Sequence, residues 1–218
     1  MSGEIGITEL RQMFAEAARQ IRHEQELLSR LDSIGGDGDH GTTMVRAFEK
    51  LEESLNAAGD AALEVRLRDA GWAVLGVDGG ASSAILGTFV AGMGDAELGH
   101  KASCSQIASS LASGLRAVSK QTKAQPGDKT MMDALAPAIQ VFETAAGEGR
   151  TISEAMLCAA EAARSGADAT SGMIARYGRA RHLGERTLGS PDAGATSIAL
   201  LFQGFSTALT TGKEPEHG

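Results

Sequence analysis

Apolar residues recur every three or four positions along most of the chain, which is the spacing of amphipathic α-helices. The first such run has Ile7, Leu10, Phe14, Ile21 and Leu28 on one face and charged residues on the other. The pattern predicts helices over residues 8–31, 42–55, 61–75, 84–90, 103–120, 130–146, 151–166 and 169–177, and a last one that ends at 209.

No stretch shows convincing period-two alternation, and no linker or change in composition divides the chain. We therefore predict one all-α domain over residues 1–218, with eight or nine helices. Connections as short as these favour antiparallel neighbours, as in an up-down bundle. We expect the last residues, 211–218, to fray.

Composition narrows the functional classes. The 218 residues carry a formal net charge of −8, which argues against a nucleic-acid-binding surface. We find neither the apolar core of a signal peptide nor a run long enough to span a membrane, so we expect a cytoplasmic protein. The two cysteines, Cys104 and Cys158, lie in alanine- and serine-rich helical patterns and are interpreted as small buried hydrophobes.

The main chemical candidate is the acidic loop, residues 32–43, which contains Asp32, Asp37 and Asp39 among four glycines. Carboxylates this close repel one another unless a cation or a shared proton intervenes. Oxygen ligands favour a hard ion such as Mg²⁺ or Ca²⁺, and the spacing is not that of an EF-hand. A solvated turn is the alternative. His40 either caps the next helix or contacts a ligand.

Three further loops place Asp78, Asp128 and Asp192 among Gly or Pro residues just before a helix. Ordinary N-capping explains each one singly. Together, however, four glycine-marked helix starts at one end of a bundle would present free backbone N–H groups to an anion. Thr130 with Asp133, and Thr151 with Glu154, have capping-box spacing.

Other residues keep two interpretations. The basic segment 176–186 is either a solvated face or a diphosphate clamp, because guanidinium pairs bidentately with phosphate. Met131 and Met132 are core residues or line an adenine slot. Gly87 within an apolar run indicates close packing or ligand approach. Ser82 and Ser83 have no His–acid partner at a recognisable spacing, which argues against a hydrolase nucleophile.

Four motifs occur in order along the chain. They are 36–41 (GDGDHG), 79–82 (GGAS), 127–131 (GDKTM), and 178–180 (GRA) followed by 192–197 (DAGATS). Together they resemble the nucleotide-binding L subunit of dihydroxyacetone kinases. The resemblance implies an eight-helix antiparallel barrel that holds ADP or ATP at one end through two Mg²⁺ ions.

The resemblance also implies roles for individual residues. Asp32, Asp37 and Asp39 would be the Mg²⁺ ligands and, with Arg179, the catalytic set. Thr43 stands where the family often has Asn. The residues expected around the nucleotide are His40, Gly41, Thr42, Thr43, Ala81, Ser82, Gly127, Met131, Arg179, Asp192, Ala193 and Gly194.

In this family a separate K subunit or domain holds the carbonyl substrate through a histidine. The resemblance thus implies a phosphoryl-donating subunit whose bound ADP is recharged by a phosphotransferase-system protein. The alternatives are an ATP-dependent kinase subunit for a related triose or tetrulose, and a non-catalytic nucleotide-binding regulatory protein. The sequence leaves a homodimer open.

Overall fold

The amphipathic runs form helices that follow one another along the chain. A computed structural model describes residues 3–57, 59–77 and 80–211. Within those ranges the elements are β1 (Glu4–Gly6), α1 (Ile7–His23), α2 (Gln25–Asp32), α3 (His40–Asn56), α4 (Leu63–Leu75), α5 (Gly80–Met93), β2 (Lys101–Ser103), α6 (Cys104–Gln121), α7 (Met132–Gly147), α8 (Ile152–Ala169) and α9 (Ala193–Thr211). The predicted cap Asp78, the neighbouring Gly79 and the tail beyond Thr211 lie outside the described residues.

Eight of these helices close into a ring. Each of α3 to α8 packs on the helix that follows it, while α1 packs on both α3 and α9 and so closes the ring. The short α2 lies against α3 and α9. The predicted all-α class is confirmed, and neighbouring helices alternate in direction around the ring because consecutive helices are joined directly.

Aromatic side chains fill the core of the ring. Phe14 on α1 and Phe205 on α9 meet edge to face, with ring centroids 4.9 Å apart. The fully buried phenylalanines, which come from α1, α3, α5, α7 and α9, are Phe14, Phe48, Phe89, Phe142, Phe202 and Phe205. The Phe14–Phe205 contact joins the first helix to the last and closes the ring.

Two helix contacts require glycine because the backbones approach closely. A Cβ on Gly71 of α4 would lie 2.2 Å from the Ala91 nitrogen of α5. A Cβ on Gly204 of α9 would lie 2.4 Å from the Ala17 Cα of α1. The close packing predicted for Gly87 is confirmed, since its Cβ would meet the Gly71 carbonyl oxygen at 2.9 Å.

The helix predicted over 8–31 is wrong in one respect, because it breaks at Glu24 into α1 and α2. Glu24 leaves helical geometry, with φ −98° and ψ 13°. The break lets the start of α2 approach α3: a Cβ on Gly41 would lie 2.1 Å from the Gln25 carbonyl oxygen. The apolar spacing continues across the break, so the pattern alone could not locate it.

The helix predicted over 169–177 is also wrong. One 3-10 turn (Thr170–Gly172) is followed by extended backbone and by a second 3-10 segment (Arg179–Thr187). Long-range bonds set this path: the Gly189 N–H donates to the Ser171 carbonyl, and the Ala175 N–H donates to the Thr187 hydroxyl. The pattern also missed the antiparallel pair β1–β2, whose three-residue strands are too short for alternation to show.

Smaller expectations have mixed outcomes. The Thr151–Glu154 capping box is confirmed at the start of α8. Asp133 accepts from the Thr130 N–H, but the helix begins later, at Met132. Cys104 and Cys158 are free thiols that are only partly buried, and Cys104 packs against the hydrophobic core. Among the described helices, none has both the length and the apolar character needed to cross a membrane.

Candidate functional site

Alternate helices of the ring begin around one open cavity of about 740 Å³. Its walls include the first residues of α3, α5 and α9, the turn before α7, and the last residue of α2. Backbone N–H groups in a first helical turn have no partner within the helix, and the helix dipole is positive there. The cavity is therefore suited to a ligand that carries several negative charges.

The acidic loop forms one side of this cavity. Asp32 ends α2, and its Oδ2 accepts from the Gly38 N–H at 2.9 Å. Asp32, Asp37 and Asp39 each offer a carboxylate oxygen, and these oxygens all lie within 4.8 Å of one another. A Cβ on Gly36 would lie 2.2 Å from Asp32 Oδ1, so the tight turn needs glycine there. Converging carboxylate oxygens fit a hard divalent cation.

Charge within the cluster is unevenly distributed. The Arg179 guanidinium forms an ion pair with Asp37 and holds the pKa of that carboxyl below its usual range. Partial desolvation raises the pKa of Asp39 although its side chain is exposed, and the charges of Asp37 and Asp32 raise it further. Asp37 is therefore ionised at neutral pH, while Asp39 gains most from a nearby cation.

His40 is the first residue of α3 and is buried in the cavity wall. Its Nδ1 lies 3.1 Å from the Ser82 hydroxyl of α5, and its Nε2 lies 3.2 Å from the Ser197 hydroxyl of α9. Burial lowers the pKa of His40, although the charge of Asp32 opposes this. Ser82 thus has a histidine partner that its position in the sequence does not reveal. The other ring nitrogen meets Ser197 and not a carboxylate, unlike the arrangement in a serine hydrolase.

Asp192 and Lys129 form another part of the cavity wall. Asp192 Oδ2 accepts from the Ala195 N–H at 2.8 Å, which caps α9. Lys129 donates from Nζ to the Thr170 and Ser190 carbonyl oxygens, each at 2.6 Å. Burial raises the pKa of Asp192 to about 6 and lowers the pKa of Lys129. These bonds hold the turn after α8 and the loop before α9 together at the cavity.

Most residues predicted for the site line the cavity. They are Asp32, Asp37, Asp39, His40, Thr43, Ala81, Ser82, Met131, Arg179, Asp192, Ala193 and Gly194. Three other predicted residues are not among those that line the cavity, namely Gly41, Thr42 and Gly127. Gly41 packs on Gln25, Thr42 accepts from the Gln25 amide at 3.5 Å, and the Gly127 N–H donates to Asp133.

Sequence reasoning missed several lining residues. Arg46 lies on α3 three residues after Thr43, so helical spacing could have placed it on the same face. Lys129 belongs to the 127–131 motif and Tyr177 precedes the Gly178–Arg179 pair, and both line the cavity. Met131 and Met132, for which the sequence left two interpretations, are buried and also line the cavity. In the basic segment, Arg176 pairs with Asp128 at 3.2 Å.

Comparison with known proteins gives relatives across most of the chain. The ADP-binding subunit DhaL of the PEP-dependent dihydroxyacetone kinase of Escherichia coli K12 is 35% identical over 186 residues, or 85% of this chain and 89% of that protein. The L-erythrulose kinase of Pectobacterium atrosepticum is 38% identical over 84% of this chain, but this chain spans only 32% of that protein.

Solved structures agree on the fold. The native dihydroxyacetone kinase of C. freundii superposes with a TM-score of 0.68 over 90% of this chain and 34% of that one, at 23% identity. A structure of the same kinase in complex with AMP-PNP and Mg²⁺ gives a TM-score of 0.67. The DAK2 domain family matches residues 34–207, from the acidic loop to the last helix of the ring. This chain belongs to the DAK2 domain family.

Proposed function

We propose that this chain is the nucleotide-binding, phosphoryl-donating subunit of a dihydroxyacetone kinase, and that the whole chain is one domain of the DhaL type. One observation carries the proposal. Three carboxylate oxygens within 4.8 Å of one another lie on the rim of a cavity that the first turns of several helices also line. A magnesium nucleotide needs both halves of such a site: oxygen ligands for the cations and N–H donors for the phosphates.

Asp32, Asp37 and Asp39 would hold Mg²⁺, as two ions in the arrangement that the family resemblance implies. Bound Mg²⁺ would neutralise phosphate charge and so favour phosphoryl transfer. Arg179 pairs with Asp37 at the same rim, and a guanidinium there can form a bidentate pair with a phosphate. The first turns of α3, α5 and α9 would orient the phosphates, and Met131 and Ala81 would contact the rest of the nucleotide.

We place the acceptor on a separate K subunit, because the E. coli relative of similar length is named as the ADP-binding subunit of its kinase. We also propose a cytoplasmic location for the assembled kinase. That relative is PEP-dependent, which supports a phosphotransferase-system donor for this chain too. The ion pair of Arg179 and Asp37 lies at the open side of the cavity, where a partner would have to bring the hydroxyl.

An ATP-dependent kinase subunit for a tetrulose is the second candidate. The observation in its favour is the 38% identity to an L-erythrulose kinase, which exceeds the 35% identity to the dihydroxyacetone kinase subunit. The match spans only 32% of the erythrulose kinase, so most of that protein has no counterpart in this alignment.

The test combines this chain with a dihydroxyacetone-binding K subunit. We expect sugar phosphate to form from phosphoenolpyruvate when the phosphotransferase proteins are added, and not from ATP alone. Turnover with ATP alone, on dihydroxyacetone or on erythrulose, would instead support the second candidate. Binding of Mg-ADP by calorimetry without product from either donor would indicate a regulatory protein, and a chain that does not bind Mg-ADP would refute the proposal.

A further inference from the structure

The hydroxyl of Ser197 lies behind the cavity wall, where it makes two contacts. Ser197 is on the first turn of α9 and is 2% exposed. Its Oγ donates to the Gly194 carbonyl oxygen at 2.8 Å and lies 3.2 Å from His40 Nε2. Of these two contacts, the one with His40 leads to the cavity, because His40 is itself a lining residue.

A serine hydroxyl has one hydrogen, and a backbone carbonyl can only accept. Because that hydrogen goes to Gly194, the Ser197 oxygen is left to accept, and His40 Nε2 must be the donor. On the other side of the ring, Nδ1 faces the Ser82 hydroxyl at 3.1 Å. In a neutral imidazole with its proton on Nε2, Nδ1 is an acceptor, so Ser82 donates to it.

We infer that Ser197 is a positioning residue for the site. It holds the His40 ring with the proton on Nε2, and the ring in turn directs the Ser82 hydrogen away from the cavity. Ser82 lines the cavity, so its oxygen then offers lone pairs to a bound molecule. The partner of Ser82 would be a donor group, such as a hydroxyl or a metal-bound water, and not a bare phosphate oxygen.

The first turns of three helices, α3, α5 and α9, meet at the His40 ring. His40 starts α3, Ser82 is in the first turn of α5, and Ser197 is in the first turn of α9. A chain of hydrogen bonds across three helix starts fixes how those starts are oriented toward the cavity. The statement about the bound molecule rests on the proposed function, whereas the state of His40 can be measured without any ligand.

The first test reads the tautomer in the full chain labelled with ¹⁵N-histidine. Long-range ¹H–¹⁵N correlations distinguish a protonated from an unprotonated ring nitrogen, and loss of one spin system in His40→Asn assigns the residue among the five histidines. We expect His40 to be protonated on Nε2 alone. A ring protonated on Nδ1, or one that exchanges between both tautomers, would overturn the inference.

Variants separate positioning from simple packing. Ser197→Ala should give mixed tautomers, while Ser197→Thr, which keeps a hydroxyl, should retain the wild-type pattern. Ser110→Ala is the matched control, because Ser110 is a fully buried serine that donates to the Met93 carbonyl at 2.8 Å away from the cavity. Ser110→Ala should leave the ring ¹⁵N signals of His40 unchanged. If it changed them as much as Ser197→Ala does, Ser197 would have no specific role in setting the His40 tautomer.

The second test is a double-mutant cycle on Mg-ADP affinity. Ser197→Ala and Ser82→Ala should each weaken binding by about three- to tenfold, the effect of one lost hydrogen bond. If Ser197 acts through Ser82, removing both hydroxyls should lower the affinity for Mg-ADP no further than the more damaging of the two single substitutions does. Fold-changes that multiply would overturn the inference. Failure of the wild-type chain to bind Mg-ADP would refute the proposed function, and the tautomer would still decide the inference.

Discussion

At the residue scale, Asp192 combines a structural and an electrostatic task. Its carboxylate caps α9 through the Ala195 N–H, and it faces the charge of Lys129. Burial nevertheless outweighs both and raises its pKa to about 6. An acid whose pKa is higher in the folded than in the unfolded chain binds an additional proton on folding, so its contribution to stability is present at low pH and is lost as pH rises through about 6.

Asp192→Asn should therefore remove a pH-dependent part of stability. The amide oxygen can still accept from the Ala195 N–H, so the cap is retained. Between about pH 4 and pH 7 the wild-type free energy of unfolding should fall relative to that of the variant by on the order of 2–3 kcal/mol. Urea unfolding in chelator, at several pH values, measures this difference. The exposed Asp69→Asn on α4 is the control. Parallel curves for wild type and Asp192→Asn would contradict the assignment.

Single residues also show where sequence reasoning reaches its limit. The three aspartates of the acidic loop could be associated because they lie within eight positions of one another. His40 and Ser197 are 157 positions apart, and the residues around either one do not predict their contact. Such a pair becomes visible only when the ring closes and brings α9 beside α3.

At the element scale, the helix faces were predictable because apolar spacing reports which side is buried. The errors at Glu24 and in 169–177 have another origin. In 169–177 the backbone follows long-range bonds, such as that from the Gly189 N–H to the Ser171 carbonyl, and not local preference. At Glu24 the break accompanies the close approach of Gln25 to Gly41 of α3. The segment between α8 and α9 carries Arg179 and Tyr177 to the cavity, so its irregular path serves the candidate site.

The α4–α5 contact offers a direct test of element packing. Gly71→Ala would place a Cβ 2.2 Å from the Ala91 nitrogen, and a backbone atom in a packed helix cannot move aside cheaply. We expect a loss of about 1–3 kcal/mol in the free energy of unfolding. Gly147→Ala, at the end of α7 where nothing lies within 4 Å of a new Cβ, should be neutral or slightly stabilising. Chemical denaturation of both variants compares them, and equal effects would contradict the close approach.

At the scale of the whole molecule, the candidate site is a product of ring closure. The cavity takes residues from α2 and α3 near one terminus and from α9 near the other. A ligand held there contacts parts of the chain that meet only in the closed ring. Its binding free energy should therefore stabilise the entire fold, because the unfolded chain does not contain the site.

We accordingly expect Mg²⁺ and ADP together to raise the unfolding midpoint of this chain, and ADP with chelator to do so far less. At a free ligand concentration about 100 times its Kd, the gain is about 2.7 kcal/mol. Asp37→Asn and Asp39→Asn should each lose most of this gain while keeping the wild-type helix content, because both side chains are exposed on the loop. The exposed Asp69→Asn should keep it. Thermal unfolding followed by circular dichroism measures both quantities in one experiment. If the acidic loop were only a solvated turn, the two loop variants would respond to Mg-ADP as the wild type does.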